Sequence, residues 1–446
     1  MLDDTIAAIA TGPQSAAVAI VRLSGPDSVA VCMRLVPGLG RGWEPRRLTL
    51  RRVVDNAGTP LDRALVVVMP GPTTFTGEDV VELHIHGGTV QARRVLDAAL
   101  AAGARMAAPG EFSRRAFLNG RMDLAQAEAI ADIAGARSYA ALDAAQAQLG
   151  GVLSREVEAV RDRIATLLAR VEVNIDFSAE DVPTFPLREL ATSMDEERAA
   201  LERLAGTFER GRALREGLHV ALIGRPNVGK SSLFNALLQE SRAIVTPIPG
   251  TTRDLIEETA SIRGYPVVLV DTAGLRDTED PIEREGIART RARLLRADVV
   301  VRVFDGSRPP GPEDELTRDA GSDRALSVLN KRDLGLDPAW APTLLRVSAT
   351  TGEGIEALAD ALLEAAGLDE PLATEAAVVT RARHRAALDR AVEALAQAAE
   401  AARLSLPHEI VAGELQLALL ALGDIVGATT AEDILDRIFA TFCIGK

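Results

Sequence analysis

One eight-residue loop constrains the fold of this chain more than any other part of the sequence. Gly224-Arg-Pro-Asn-Val-Gly-Lys-Ser231 follows an apolar run at 220–223 and precedes a segment with helical periodicity. A loop of this composition between a strand and a helix binds phosphate, because its glycines let backbone N–H groups converge and the helix N-terminus favours negative charge. Residues 216–372 are therefore predicted to form an α/β domain with a mostly parallel sheet.

Apolar runs that alternate with helical segments support this fold. The candidate parallel strands are residues 220–223, 267–270, 299–304, 325–329 and 344–347. Residues 1–120 mix β-rich runs with Gly and Pro turns, which favours an α+β domain. Residues 121–215 and 373–446 carry helical periodicity, so the α/β domain is predicted to be inserted into a helical domain.

Lysine occurs three times among 50 basic residues, at positions 230, 331 and 446. Lysine is a compact point charge on a flexible stem, whereas arginine is a broad planar fork. The three positions that kept lysine are therefore candidates for chemistry that arginine cannot perform. Lys230 lies in the loop, Lys331 in Asn330-Lys-Arg-Asp333, and Lys446 at the chain end.

Four further motifs predict that the nucleotide is GTP bound with Mg²⁺. Lys230 would reach the β- and γ-phosphates, while Ser231 and Thr252 would ligate the metal. The Asp333 carboxylate can accept two guanine N–H donors, which adenine lacks. The predicted GTP contacts are Asn227, Val228, Gly229, Lys230, Ser231, Ser232, Thr246, Thr251, Thr252, Asp271, Thr272, Ala273, Gly274, Asn330, Lys331, Asp333, Ser348 and Ala349.

The motif Asp271-Thr-Ala-Gly274 is followed by Leu275, where a glutamine would orient water in Ras-type enzymes. The attacking water must therefore be positioned from elsewhere. Asn227 could hold a monovalent cation near the phosphates, or it could stabilise the loop. Glu283 could reach the water or be a solvated helix residue.

Bulk composition predicts a cytoplasmic protein without a membrane segment. The net charge is −14, which argues against a nucleic-acid-binding surface over the whole protein but not against a local basic patch. Two cysteines cannot form a disulfide framework, so a reducing compartment is the default. No apolar run approaches the ~18 residues that span a bilayer, and the N-terminus lacks a basic leader.

Motifs outside the α/β domain complete a resemblance to a known family. They are Pro70-Gly-Pro-Thr-Thr-Phe-Thr-Gly-Glu-Asp79, Pro109-Gly-Glu-Phe-Ser113, Arg115-Ala-Phe-Leu-Asn119, Asp123-Leu-Ala-Gln-Ala-Glu-Ala-Ile-Ala-Asp132 and Cys443-Ile-Gly-Lys446. Together with the nucleotide motifs, the chain resembles the MnmE (TrmE) family of tRNA-modification GTPases over its whole length.

The resemblance implies a multidomain protein with an α+β folate-binding and dimerisation domain, a helical domain and an inserted Ras-like G domain. It implies a homodimer that works with the flavoprotein MnmG, in a heterotetramer, on carbon 5 of the wobble uridine of certain tRNAs. The group installed is of the aminomethyl or carboxymethylaminomethyl type, and its carbon comes from 5,10-methylene-tetrahydrofolate or a formyl analogue. GTP hydrolysis would be stimulated by K⁺ when G domains pair.

Residue roles are also implied by the resemblance. The K⁺ ligands would be Asn227, Thr246, Ile248 and Thr251, and Glu283 would position the hydrolytic water. The folate contacts would be Arg22, Glu82, Arg121 and Lys446, and Cys443 would take a catalytic part. Arg121 stands where relatives often carry lysine, and Pro247 and Pro249 flank Ile248, which fixes φ on both sides of that ligand.

Four alternatives stay open at this point. His84-Ile-His86 has the spacing of a metal pair on one strand face, and Cys443 could be a small packing residue. The protein could be a switch GTPase that only binds RNA or protein, or a folate-dependent transferase with a regulatory GTPase attached. Which tRNAs are modified and which molecule donates the nitrogen do not follow from the sequence.

Overall fold

A computed structural model describes residues 4–12, 16–39, 43–176, 185–240, 259–271, 297–312, 314, 324–369 and 376–445. The chain divides into two compact units. Unit 1 comprises Met1–Ala131 and Gly423–Lys446, and unit 2 comprises Asp132–Leu422.

Unit 1 is built on a six-stranded mixed sheet with α1 and α2 against one face. Its strands are β1 Ile6–Ile9, β2 Val18–Ser24, β3 Thr49–Val54, β4 Pro60–Met69, β5 Val80–His86 and β6 Arg105–Met106. Its helices are α1 Ser28–Leu35, α2 Thr89–Ala101, α3 Glu111–Leu118 and the start of α4, Leu124–Gly135. The strand order is β3-β4-β5-β2-β1-β6, in which only the β1–β6 pair is parallel.

Apolar and charged side chains alternate along β2 and β5, so the two faces of this sheet differ chemically. Val21 and Leu83 are fully buried in the core beside α1 and α2. Arg22 and Glu82 lie directly opposite each other on the other face, because neighbouring side chains of a strand point to opposite sides. The predicted α+β character of this region is confirmed.

The end of the chain packs into unit 1. Helix α13, Glu432–Phe439, has Phe439 and the following Phe442 packed against Leu124 of α4. Gly445 has φ +99°, and a Cβ there would overlap the carbonyl oxygen of Ile9. Sequence reasoning grouped 373–446 with the helical domain, whereas these apolar and backbone contacts group residues 423–446 with 1–131.

A buried ion cluster ties the first residues of unit 1 to α3. The guanidinium of Arg115 has no exposed surface and contacts the carboxylates of Asp4 at 2.7 Å, Glu78 at 3.1 Å and Glu111 at 3.0 Å. Arg105 completes the cluster, 2.6 Å from Glu111. Burial raises the pKa of Glu111, but its bonds to Arg105, Ala108 N–H and Arg115 outweigh burial and leave the pKa below its usual value.

Unit 2 contains the predicted α/β sheet. Its strands are β7 Leu218–Ile223, β8 Thr259–Ile262, β9 Tyr265–Asp271, β10 Val299–Asp305, β11 Ala325–Asn330 and β12 Leu345–Arg346. The order is β12-β11-β10-β7-β9-β8, and every pair is parallel except β8–β9. All five predicted parallel strands are confirmed, and β8 is an additional antiparallel edge strand.

Along the chain, the helices of unit 2 lie before, between and after the strands of this sheet. They are α5 Tyr139–Leu149, α6 Val152–Asp176, α7 Leu187–Gly206, α8 Phe208–Glu216, α9 Lys230–Glu240, α10 Ile355–Ala366, α11 Ala382–Arg403 and α12 His408–Val426. The predicted apolar face of α6 is buried at Leu153, Val157, Val160, Ile164, Leu167 and Val171. Among the described residues, every helix is too short or too polar to cross a membrane.

Candidate functional site

The loop between β7 and α9 begins at a position whose backbone conformation requires glycine. Gly224 has φ +155°, and a Cβ there would overlap the carbonyl oxygen of Val303 on β10. Glycine adopts such a conformation without steric cost. The loop therefore lies against the sheet, at the carboxyl edge where α/β proteins bind ligands.

Lys230 begins α9 and folds back over the loop. Its Nζ donates to the carbonyl oxygens of Gly224 and Arg225, both at 2.9 Å. The side chain is buried. The ammonium is thus fixed at the helix N-terminus, where a phosphate is also favoured by the helix dipole.

Asn330 joins this loop to the base-reading motifs. Its buried side-chain amide donates to the Val228 carbonyl oxygen at 2.9 Å, and its Oδ1 accepts the Ala349 N–H at 3.1 Å. At Gly229 a Cβ would overlap the Asn330 amide nitrogen. One side chain therefore holds the phosphate loop and the Ser348-Ala349 segment in a fixed relation.

The predicted guanine reader Asp333 is oriented by a neighbouring hydroxyl. Ser348 is fully buried, and its Oγ donates to Asp333 Oδ1 at 2.6 Å. Asp333 lies in a 3₁₀ turn, Arg332–Leu334, and is exposed. The bond from Ser348 anchors one oxygen of this exposed carboxylate, which keeps acceptor capacity for a ligand.

Sequence reasoning missed Asp305, which ends β10 beside this site. Its Oδ2 lies 2.7 Å from the Nζ of Lys331, and its Oδ1 accepts from the Ser307 hydroxyl at 2.6 Å. Burial raises the pKa of Asp305, but the bonds from Lys331 and Ser307 lower it further than burial raises it. A carboxylate directly after a buried parallel strand was the available sequence signal.

Most predicted nucleotide contacts converge on the carboxyl edge of the sheet. The described ones are Asn227, Val228, Gly229, Lys230, Ser231, Ser232, Asn330, Lys331, Asp333, Ser348 and Ala349. Asp271 ends β9 opposite Leu222, at the same edge. Nine predicted positions lie outside the described residues: Thr246, Ile248, Thr251, Thr252, Thr272, Ala273, Gly274, Glu283 and Lys446.

A second polar cluster lies in unit 1, on the face of the sheet opposite α1 and α2. The Nε of Arg22 donates to Glu82 Oε1 at 2.9 Å, and its guanidinium lies 5.9 Å and 5.8 Å from the ring centroids of Phe75 and Phe112. Burial raises the pKa of Glu82, but bonds to His84 and Arg22 outweigh it, so the pKa lies below its usual value. The cluster therefore carries a charged carboxylate within a partly apolar surface.

The two histidines of the possible metal pair contact different carboxylates. His84 Nε2 lies 2.9 Å from Glu82 Oε2, while His86 Nδ1 lies 2.7 Å from Asp62 Oδ1. No group of three or more metal-ligating side chains occurs among the described residues. In the described structure each histidine therefore has a carboxylate partner of its own.

Arg121 is the other described member of the predicted folate set, and Cys443 is the predicted catalytic cysteine. Arg121 donates from Nε to the Thr74 carbonyl oxygen at 3.1 Å. Cys443 is exposed, and its carbonyl oxygen accepts from Gly110 N–H at 3.4 Å. Both therefore belong to the unit that holds Arg22 and Glu82.

We expect the two cysteines to differ greatly in reactivity. Cys32 is fully buried, and burial raises the pKa of its thiol to about 12, so almost none of it is thiolate at pH 8. Ellman's reagent at pH 8 should titrate one thiol in the native protein and two in guanidinium. Cys443→Ser should remove the native signal. A native signal that survives in this variant would contradict the assignment.

The sheet has the strand order β12-β11-β10-β7-β9-β8. A phosphate loop follows β7, and an Asn-Lys-x-Asp motif follows β11. Together these features define a P-loop GTP-binding domain of the Ras-like class. A family model described as the MnmE helical domain matches residues 124–443. A second one, the GTP-binding protein TrmE N-terminus, matches residues 5–121.

Curated relatives match over the full length. The tRNA modification GTPase MnmE of Alkaliphilus metalliredigens is 42% identical over 459 residues, and that of Chloroflexus aurantiacus 46% over 458, each covering 100% of both chains. The G domain of FeoB from Methanococcus jannaschii is 28% identical over 34% of this chain and 98% of its own, with a TM-score of 0.25. The chain therefore belongs to the MnmE family of tRNA modification GTPases, a family of GTP hydrolases.

Proposed function

We propose that this chain is a K⁺-stimulated GTPase that, with MnmG, installs an aminomethyl or carboxymethylaminomethyl group at carbon 5 of the wobble uridine of certain tRNAs. The observation that carries the proposal is the full-length match to curated relatives of this name. The assembled nucleotide loop and the charged cluster around Glu82 supply the two kinds of site that such a reaction needs.

In the nucleotide site each described residue has a definite part. Lys230 binds the β- and γ-phosphates, and Ser231 with Thr252 supplies oxygen ligands to Mg²⁺, a cation that prefers oxygen. Asp271 faces the metal through water. Asp333 reads the guanine N–H donors, while Asn330 keeps the phosphate loop and Ala349 at a constant separation. Glu283, outside the described residues, would position the attacking water.

K⁺ is proposed to replace the arginine finger that other GTPases use. Asn227 is exposed at the loop surface with φ +64°, so its backbone turns the amide outward. The amide oxygen of Asn227 would join the loop oxygens of Thr246, Ile248 and Thr251. A cation there neutralises charge that develops on the phosphates in the transition state.

We expect GTP hydrolysis to be at least about tenfold faster in K⁺ than in Na⁺, because a bound K⁺ would stabilise the charge that develops in the transition state. Asn227→Ala should erase the difference. An alanine at φ +64° is also strained, so Asn227→Gly serves as the matched control that removes the amide without strain. Steady-state phosphate release in each salt measures the effect.

Two results would remove the cation from the mechanism. One is equal wild-type rates in K⁺ and Na⁺. The other is a K⁺ preference that persists in Asn227→Gly, since that variant keeps the backbone and lacks the ligand.

The unit 1 cluster is proposed to bind the tetrahydrofolate that donates the carbon. Glu82, charged and partly buried, can accept the N–H donors of a 2-amino-4-oxo-pteridine, as a carboxylate does with guanine. Arg22, Arg121 and Lys446 would complete the contacts. Cys443 belongs to the same unit and would act on the activated carbon.

The remaining assignments follow from this activity. Residues 1–120 form the folate-binding and dimerisation domain, 121–215 and 373–446 the helical domain, and 216–372 the G domain. The partners are a second copy of the chain, the flavoprotein MnmG in a heterotetramer, and tRNA. The proposed location is the cytoplasm.

Mass spectrometry of tRNA nucleosides tests the proposal. Deleting the gene should remove the modified wobble uridine, and expression of the intact chain should restore it. A Lys230→Ala variant should fail to restore it. Unchanged wobble uridines in the deletion strain would refute the function.

A further inference from the structure

His84 is placed on the same sheet face as Arg22 and Glu82. Ile20 of β2 and Leu65 of β4 lie directly opposite it on the two neighbouring strands. The ring therefore has an apolar residue on each flank, and its Nε2 turns along its own strand to Glu82 Oε2 at 2.9 Å. The side chain of His84 keeps 22% of its surface exposed, so the contact lies at the edge of a ligand-accessible surface.

The two oxygens of Glu82 are held by different residues. Oε1 is 2.9 Å from both the Nε and the Nη2 of Arg22, and Oε2 takes the contact with His84. A carboxylate has about four acceptor sites. The arrangement fixes the carboxylate at both ends and leaves acceptor capacity for a ligand N–H donor.

Arg22 by itself would not fix the carboxylate plane. The terminal torsion of a glutamate is broad and roughly two-fold, so one anchored oxygen lets the other swing. Phe75 and Phe112 lie against the Arg22 guanidinium and fix that side of the cluster. Only the bond to His84 fixes the second oxygen among the contacts described for Glu82.

We propose that His84 is a positioning residue of the tetrahydrofolate site, which holds the Glu82 carboxylate in the plane that accepts the pteridine N–H donors. This inference rests on the proposed function of the cluster. It assigns a role to the His84-Ile-His86 motif that neither the nucleotide chemistry nor the folate contacts use. His86 lacks this role, because its ring contacts Asp62 instead.

The test is a dissociation constant for 5-formyltetrahydrofolate, measured by calorimetry on the full-length chain. His84→Leu should weaken binding about tenfold, the cost of losing one hydrogen bond to a charged group. His84→Gln, whose amide N–H can reach the same oxygen, should recover most of the affinity. His86→Gln, two residues along the same strand, should bind as the wild type does.

A double-mutant cycle separates positioning from a merely structural role. In a Glu82→Gln background, His84→Leu should cost little further affinity, because the group it orients has lost its charge. Thermal unfolding and GDP binding of each variant show whether the protein stays folded. These controls do not depend on folate.

The outcomes are distinct. Wild-type protein that binds no tetrahydrofolate refutes the proposed folate site itself. Wild-type binding with an unaffected His84→Leu variant, a failure of His84→Gln to rescue, or the same loss in the Glu82→Gln background overturns the positioning role alone. Loss in His84→Leu, rescue by glutamine and non-additivity with Glu82→Gln establish it.

Discussion

Replacing Asp333 by asparagine is expected to weaken GTP binding about a thousandfold and to create affinity for xanthosine triphosphate. The carboxylate accepts two guanine N–H donors, and asparagine turns one acceptor into an opposing donor. Xanthine carries a carbonyl where guanine carries the amino group, so it matches the new pattern. Direct titrations with fluorescent guanosine and xanthosine nucleotide analogues would measure both affinities.

Ser348→Ala is the matched control for this change. It removes the 2.6 Å bond that orients Asp333 but keeps the reading carboxylate, so its loss should be about tenfold and guanine should stay preferred. An Asp333→Asn variant that still preferred GTP over xanthosine triphosphate would show that the base is read elsewhere.

Arg115→Met is expected to destabilise unit 1 by about 3 kcal/mol, since it removes a fully buried guanidinium that contacts three carboxylates, although Arg105 would still pair with two of them. Asp4, Glu78 and Glu111 would face one another with their charges uncompensated by this guanidinium. Trp43 packs against the core of unit 1 and Trp340 lies in unit 2. Urea unfolding followed by Trp43 fluorescence in a Trp340→Phe background therefore reports on unit 1.

Arg114→Met is the matched control, one residue earlier on α3. Arg114 pairs with Glu432 and Asp436, whose side chains are 84% and 58% exposed. Exposed pairs contribute less than about 1 kcal/mol, so this variant should stay close to the wild type. Equal losses of unfolding free energy in both variants would mean that burial of Arg115 does not increase the contribution of its ion pairs to stability.

The parallel strands were predictable because they are rich in apolar residues. The clearest case is Val299–Asp305, in which most residues are buried on both faces of the sheet. Strand β3, Thr49–Val54, gives no such signal, since it lies at the edge of its sheet and carries Arg51 and Arg52. Strand β6 has two residues and depends entirely on its pairing with β1.

The nucleotide motifs were readable because their spacing is local, but their connections were not. Nothing in the sequence says that Asn330 bonds to Val228, 102 positions earlier, or that Asp305 holds Lys331. The contact between His86 and Asp62, 24 positions apart, is likewise set by strand pairing and not by local spacing. Long-range hydrogen bonds depend on the assembled fold.

The docking of residues 423–445 into the first unit has a consequence for biosynthesis. A ribosome makes Leu124 about 300 residues before Phe439 and Phe442, so the apolar surface around Leu124 stays uncovered while the residues between them are translated. A nonsense mutation before residue 439 removes both phenylalanines and leaves that surface bare. Nascent chains should therefore depend on chaperones until Phe439 and Phe442 have left the ribosome.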